Sequence, residues 1–71
     1  MRLKDIREDS DISQKVLAAY LHVRPNTYSQ YENEKRQIPI AALIALANFY
    51  NVSVDYLLGL TDVKTRYPKR K

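Results

Sequence analysis

The chain has 71 residues, 45% of them apolar, with one glycine and no cysteine. This length predicts one small domain, and the lack of cysteine excludes disulfides and thiolate metal sites, so an all-α bundle with local contacts is favoured. The formal net charge is +4, but five of the twelve Lys and Arg residues lie in the last eight positions. The excess charge is therefore mostly a property of the C-terminal end and not of the rest of the chain.

Residues 2–9 alternate charged side chains with Leu3 and Ile6, which predicts a helix with one apolar stripe. Residues 10–12 follow as a loop. Acidic residues gather in this region, and without a pocket beside them they are interpreted as a solvated surface. These acidic residues are Asp5, Glu8, Asp9 and Asp11.

Residues 13–36 predict two short helices joined by a tight turn. Apolar residues recur at helical spacing after Ser13, which is a suitable N-cap, so the first helix is expected at residues 14–21. Pro25 lacks an N–H and has its φ already set, which suits the first position of a second helix at residues 25–32. The pattern is that of a helix-turn-helix.

The second helix has two different faces. Tyr28 and Tyr31 are three positions apart and predict an apolar face toward the core, with nucleobase stacking as the alternative. The opposite face is polar and nearly uncharged. Amide side chains on an exposed helix can pair bidentately with adenine in the major groove of DNA. The outward residues are Asn26, Thr27, Ser29, Gln30 and Asn33.

Residues 40–50 are apolar nearly all round and predict a central core helix. Asn51 is expected to end it in the left-handed conformation. Ser53 is a suitable cap for a last short helix, which Gly59 ends. The residues expected to complete the core are Val54, Leu57 and Leu58.

The two motif helices carry a Gln at the first position, a small residue four positions later and a hydrophobe after the turn. A Glu-Asn pair and a basic stretch follow them. These residues are Gln14, Ala18, Val23, Glu32, Asn33, Lys35 and Arg36. The combination resembles the Cro/CI-type (XRE family) helix-turn-helix domains of bacterial and phage regulators. The resemblance covers about residues 2–60 and departs at His22 and Glu34, where the family usually has Gly, although His is among the residues that tolerate a positive φ.

The resemblance implies a compact five-helix, lambda-repressor-like fold that binds double-stranded DNA. It implies base contacts from the start of the second helix, where apolar contact with a thymine methyl is the role left to Pro25. It also implies phosphate contacts at the helix ends. The base set is Pro25, Asn26, Thr27, Ser29 and Gln30, and the phosphate set is Gln14, Lys15, Arg24, Asn33, Lys35 and Arg36.

The family pattern further implies a partly buried ion pair between Arg7 and Glu32 that holds the fold together. The alternative is a solvated Arg on a surface helix.

These features favour a sequence-specific DNA-binding transcriptional regulator, and a repressor in particular. One helix reads few base pairs, so a homodimer on an inverted repeat is expected, with half-sites about 34 Å apart. Its interface is expected at Tyr56, Leu57 and Leu60. The alternative from another class is a protein-interaction module of the same fold, antitoxin-like or a co-regulator, that acts through a partner protein.

The domain is assigned to residues 1–61, and residues 62–71 are expected to be a flexible basic tail that either contacts DNA or solubilises the chain. The longest apolar run, residues 40–47, is too short to span a membrane, and the N-terminus is charged, so a cytoplasmic, nucleoid-associated protein of bacterial or phage origin is expected. One His, one Gly and no Cys provide no catalytic constellation. No enzyme activity, metal or cofactor is predicted.

Overall fold

A computed structural model describes residues 1–64, and this part of the chain forms five helices without a strand. The predicted all-α, five-helix fold is thus confirmed. Most of the predicted basic tail falls on residues 65–71 and lies outside the described residues. The helices are α1 Leu3–Asp9, α2 Gln14–Leu21, α3 Pro25–Glu32, α4 Ile40–Tyr50 and α5 Val54–Leu58.

The helices begin at the residues that local chemistry favours. The Ser13 hydroxyl accepts a hydrogen bond from the Val16 N–H at 3.3 Å, and the Ser53 hydroxyl accepts one from the Tyr56 N–H at 3.0 Å. Each bond satisfies an N–H that the first turn leaves without a partner. Pro25 occupies the first turn of α3, where its missing N–H costs nothing.

Three helices end in a residue with left-handed backbone. His22 ends α2 with φ 60°, Asn51 ends α4 with φ 56° and Gly59 ends α5 with φ 81°. Glu34, after α3, also has a positive φ of 57°. His22 and Glu34 are the positions where the family pattern usually has glycine. The chain therefore keeps the left-handed turns there without the residue that adopts them at least cost.

The core draws on all five helices and on the connections around α4. Tyr28 and Tyr31 are buried, at 0% and 5% exposure, so their predicted core role is confirmed over nucleobase stacking. The other buried residues are Leu3, Leu17, Ala18, Ile38, Leu43, Leu46, Ala47, Val52 and Leu57.

The predicted core helix, α4, is apolar nearly all round but is buried on one side only. The helix buries one stripe, formed by Leu43, Leu46 and Ala47, whereas Ile40 is 74% exposed and Ile44 is 49% exposed. The reason is size, because a domain this small buries only a limited fraction of its surface and cannot surround one helix on all sides.

The burial of the α5 residues agrees only in part with the prediction that they complete the core. Leu57 is fully buried, whereas Val54 and Leu58 are only half-buried at its margin. The burial of Leu57 removes it from the surface that was expected to form a dimer interface. Among the helices of residues 1–64, none has the length and apolar character needed to cross a membrane.

Candidate nucleic-acid interface

Arg7 and Glu32 hold α1 against the end of α3. Arg7 Nε donates to Glu32 Oε2 at 2.6 Å, and Arg7 Nη2 donates to Glu32 Oε1 at 3.2 Å. The two side chains are 13% and 1% exposed. A bidentate bond between a planar guanidinium and a carboxylate fixes both direction and distance. The pair implied by the family pattern is therefore formed, and Arg7 is not a solvated surface residue.

The same carboxylate also reaches the start of α2. Gln14 Nε2 donates to Glu32 Oε1 at 3.0 Å, and Arg7 Nη1 donates to the Ile12 carbonyl oxygen at 2.9 Å. Arg7, Glu32 and Gln14 thus form a partly buried polar network that joins three helices and the loop before α2. The network links the start of α2 to the end of α3, beside the apolar packing between the two helices.

The network stays charged in the folded chain. Burial disfavours the charged form of Glu32, but hydrogen bonds from Arg7 and Gln14 outweigh it, and the pKa of the carboxyl lies below its ordinary value. The hydrogen bond to Glu32 raises the pKa of Arg7.

Two tyrosine hydroxyls are buried near the network. Burial, together with the Glu32 carboxylate, raises the pKa of Tyr28 above its ordinary value and raises that of Tyr50 to about 12. The Tyr50 hydroxyl has no hydrogen-bond partner among residues 1–64. Both tyrosines are therefore neutral, and Glu32 and Arg7 carry the charge of this region.

The outward face of α3 contains the predicted base-contacting set. Pro25 and Asn26 are exposed in the first turn, and Thr27, Ser29 and Gln30 are half-buried at its edges. This face carries hydroxyls and amides, which donate and accept hydrogen bonds in the patterns that base edges present.

The predicted phosphate-contacting residues lie at the ends of the two helices. Lys15, Arg24, Lys35 and Arg36 are exposed, and none of the four forms an ion pair with an acidic residue within positions 1–64. Asn33 is exposed and donates from Nδ2 to Ser29 Oγ at 3.4 Å. Cationic side chains therefore flank a polar helix face, and this arrangement suits a polyanion whose edges carry hydrogen-bonding groups.

Gln14, another member of the phosphate set, has a partner within the polar network. It is half-buried and bonded to Glu32 through one amide hydrogen, so a second hydrogen on the same nitrogen remains to donate. Sequence analysis missed this contact, since the two residues are 18 positions apart and nothing in the local pattern links them. Within positions 1–64, no group of three His, Asp or Glu residues is arranged to hold a metal ion.

A capped helix, a left-handed turn and a second helix with a polar outer face define a helix-turn-helix nucleic-acid-binding domain. The sequence profile of the family described as "Helix-turn-helix" matches residues 3–57, which is most of the chain.

Two curated proteins of Bacillus subtilis (strain 168) are similar to the chain. The "Uncharacterized HTH-type transcriptional regulator YobD" is 39% identical over 61 residues, which cover 86% of this chain and 54% of that protein. The "HTH-type transcriptional regulator ImmR" is 40% identical over 65 residues, which cover 92% of this chain and 51% of that protein. The chain thus spans about half the length of the curated relatives it matches. No solved structure gives a significant match.

The chain therefore belongs to the Cro/CI-type (XRE) family of helix-turn-helix DNA-binding domains. The resemblance drawn from the motif residues is confirmed. This is a family of transcription regulators and not of enzymes.

Proposed function

We propose that this chain is a sequence-specific, double-stranded DNA-binding transcriptional regulator, and that α3 lies in the major groove. The observation that carries the proposal is the exposed polar first turn of α3, whose orientation the Arg7–Glu32–Gln14 network fixes. A helix held in this way presents its amide and hydroxyl groups to base edges at constant distance.

The six residues of the phosphate set would fix the register of the domain on the duplex. Lys15 and Gln14 at the start of α2 would contact one phosphate, while Lys35 and Arg36 after α3 would contact another. Arg24, in the turn, is close in sequence to the first residue of α3 and would join either group. We assign the DNA-binding unit to residues 1–61.

We further propose that the protein represses transcription as a homodimer bound to an inverted repeat. A single α3 reads only a few base pairs, and a second copy doubles the length of DNA that is read. Occupation of an operator is sufficient to exclude other proteins from it, so repression requires no further activity of the domain.

The test is selection of binding sites from randomised duplex DNA, followed by sequencing. Wild type is compared with the Asn26→Ala/Gln30→Ala double variant at two salt concentrations. We expect wild type to enrich an inverted repeat and the double variant to lose the enrichment while it keeps weak, salt-sensitive binding.

Two further variants separate the classes of contact. Lys15→Ala should weaken binding to all sequences alike and reduce the log–log salt slope by about 1. Glu8→Ala, an exposed change on α1, should leave binding as it is. If wild type and the double variant select the same sequences, α3 does not read bases and the proposal is wrong.

The rival function, a module that docks a partner protein, is favoured by one observation. The outward side of α4 exposes large apolar residues, Ile40 and Ile44, as a protein-binding surface commonly does.

A further inference from the structure

The outward side of α4 is an uncharged surface. None of the eleven residues of α4 is charged, although a surface helix ordinarily carries charged residues on its solvent side. Ile40 is 74% exposed, Ile44 49% and Phe49 37%. We define this surface, the α4 face, by Ile40, Ala41, Ile44, Ala45, Asn48 and Phe49.

Aromatic packing extends the α4 face onto α2. The rings of Tyr20 and Phe49 meet edge to face with their centroids 4.9 Å apart, and the Tyr20 hydroxyl donates to the Ala45 carbonyl oxygen at 3.2 Å. Tyr20 is still 41% exposed, and Val16, one turn earlier, is 51% exposed. The apolar surface therefore has an ordered edge, because its aromatic side chains are held by specific contacts.

The surface of α5, where an interface was expected from the sequence, is largely covered by the chain itself. The Arg2 guanidinium lies 4.7 Å and the Lys64 ammonium 5.9 Å from the centre of the Tyr56 ring. Arg2 also donates to Asp62 Oδ1 at 2.5 Å. With Leu57 buried, the larger exposed apolar residues near α5 are Leu60 and Val63. The α4 face has more large exposed apolar residues, with Ile40, Ile44 and Phe49 on one helix.

We propose that the α4 face binds the α4 face of a second copy of this chain, in a two-fold symmetric pair that assembles on DNA. A symmetric pair brings the same surface of two copies together, and a face without charged residues places no like charges opposite each other. Asn48 supports such a pairing, because its amide both donates and accepts and can bond to its own counterpart.

The shape of the face also suits self-pairing. Ile40 and Ile44 form a ridge one turn apart, and Ala41 and Ala45 form a shallow row beside it. When two such helices meet, the ridge of each packs into the row of the other.

The size of the face argues for a second copy over a freely diffusing partner. An eleven-residue helix is about 16 Å long and about 10 Å wide, so the face offers a few hundred Å², against about 800 Å² per partner in a standard interface. Such a contact is weak between free molecules. Two copies held on neighbouring half-sites have a high effective concentration, at which a weak contact is sufficient; this step depends on the DNA-binding function proposed above.

The first experiment tests the face without DNA. Because the chain has no cysteine, Ile44→Cys introduces a single thiol near the expected two-fold axis. Under mild oxidation at high protein concentration, we expect Ile44→Cys to form a covalent dimer far faster than Leu60→Cys, whose position is 75% exposed. Equal rates for the two variants, or a faster rate for Leu60→Cys, would overturn the proposal.

The second experiment compares an inverted repeat with a single half-site, using wild type, Ile44→Glu and the control Leu60→Glu. All three should keep the same circular dichroism and affinity for the half-site. Ile44→Glu alone should lose the cooperative gain on the inverted repeat. Cooperativity that survives in Ile44→Glu contradicts the α4 interface, whereas failure of wild type to bind the half-site contradicts the DNA-binding function and leaves the crosslinking result to decide the interface.

Discussion

The first three helices and the last two are held together in different ways. In α1–α3, the bidentate Arg7–Glu32 pair and the bond from Gln14 join the helices through partly buried charge. In α4 no residue is charged, and the contact with α5 depends on apolar side chains such as Leu46 and Leu57, both fully buried. The first group contains α3, which we propose reads bases, and the second contains the α4 face, which we propose binds a second copy.

The difference shows what each kind of contact supplies. Apolar burial is non-directional and gives cohesion in proportion to the area removed from water. Charge-assisted hydrogen bonds require one geometry and therefore fix an orientation. A helix that presents its side chains to base edges needs charge-assisted hydrogen bonds to fix its orientation. Apolar burial is sufficient for α4, which closes the core.

The largest effect should follow from the loss of one partner of the ion pair. Glu32→Leu leaves the Arg7 guanidinium buried without its partner and should cost about 3–5 kcal/mol of unfolding free energy. The Arg7→Met/Glu32→Leu double variant should recover much of that loss, because no unpaired charge remains. Urea unfolding followed by circular dichroism measures both, and a double variant as unstable as the sum of the single variants would contradict this view of the network.

In α4 and α5, a core substitution should lower stability because it leaves a cavity, and not because it leaves an unpaired charge. Leu46 is fully buried, and Leu46→Ala should cost about 2–5 kcal/mol. The matched control is Ile40→Ala, which removes exposed apolar atoms from the same helix and should change stability by less than about 0.5 kcal/mol. Thermal unfolding of the two variants separates burial from helix propensity, and similar losses would show that α4 is not packed as described.

Low pH should reduce the contribution of the Arg7–Glu32 pair, which joins α1 and α3, to the free energy of unfolding. The pKa of Glu32 is lower in the folded chain than its ordinary value of 4.5, so the charged carboxyl stabilises the fold above that value. This contribution is lost as the pH falls through the folded-state pKa. The difference in unfolding free energy between wild type and Glu32→Gln should therefore be largest near about pH 7 and shrink toward about pH 3. A difference that does not change with pH would mean that the charge of Glu32 does not stabilise the fold.

The smallest changes in stability are expected for substitutions at residues with a positive φ. His22→Gly and Glu34→Gly should each raise stability by up to about 1 kcal/mol, because glycine adopts a positive φ without steric cost. Gly59→Ala is the opposite control and should lower stability by about 1 kcal/mol through backbone strain alone, since a Cβ there would meet no atom within 4 Å. If His22→Gly lowers the melting temperature, the His22 side chain makes a contribution that its backbone conformation does not reveal.

The sequence by itself determined the helices and the family. Ser13 and Ser53 as caps, Pro25 at the start of α3 and Asn51 at the end of α4 are local signals, and each acts through its own backbone or that of the next few residues. The base-contacting and phosphate-contacting roles remain predictions, for which the structure provides the exposed positions.

Only the tertiary structure decided which surfaces are covered and which distant side chains meet. Gln14 bonds to Glu32 because the packing of α1, α2 and α3 brings them together, and no periodicity records that contact. Leu57 is buried and Ile44 is exposed although both are large apolar residues within helices. Hydrophobic patterning indicates which surface of a helix is apolar. The number and placement of the neighbouring helices decide how much of that surface is buried.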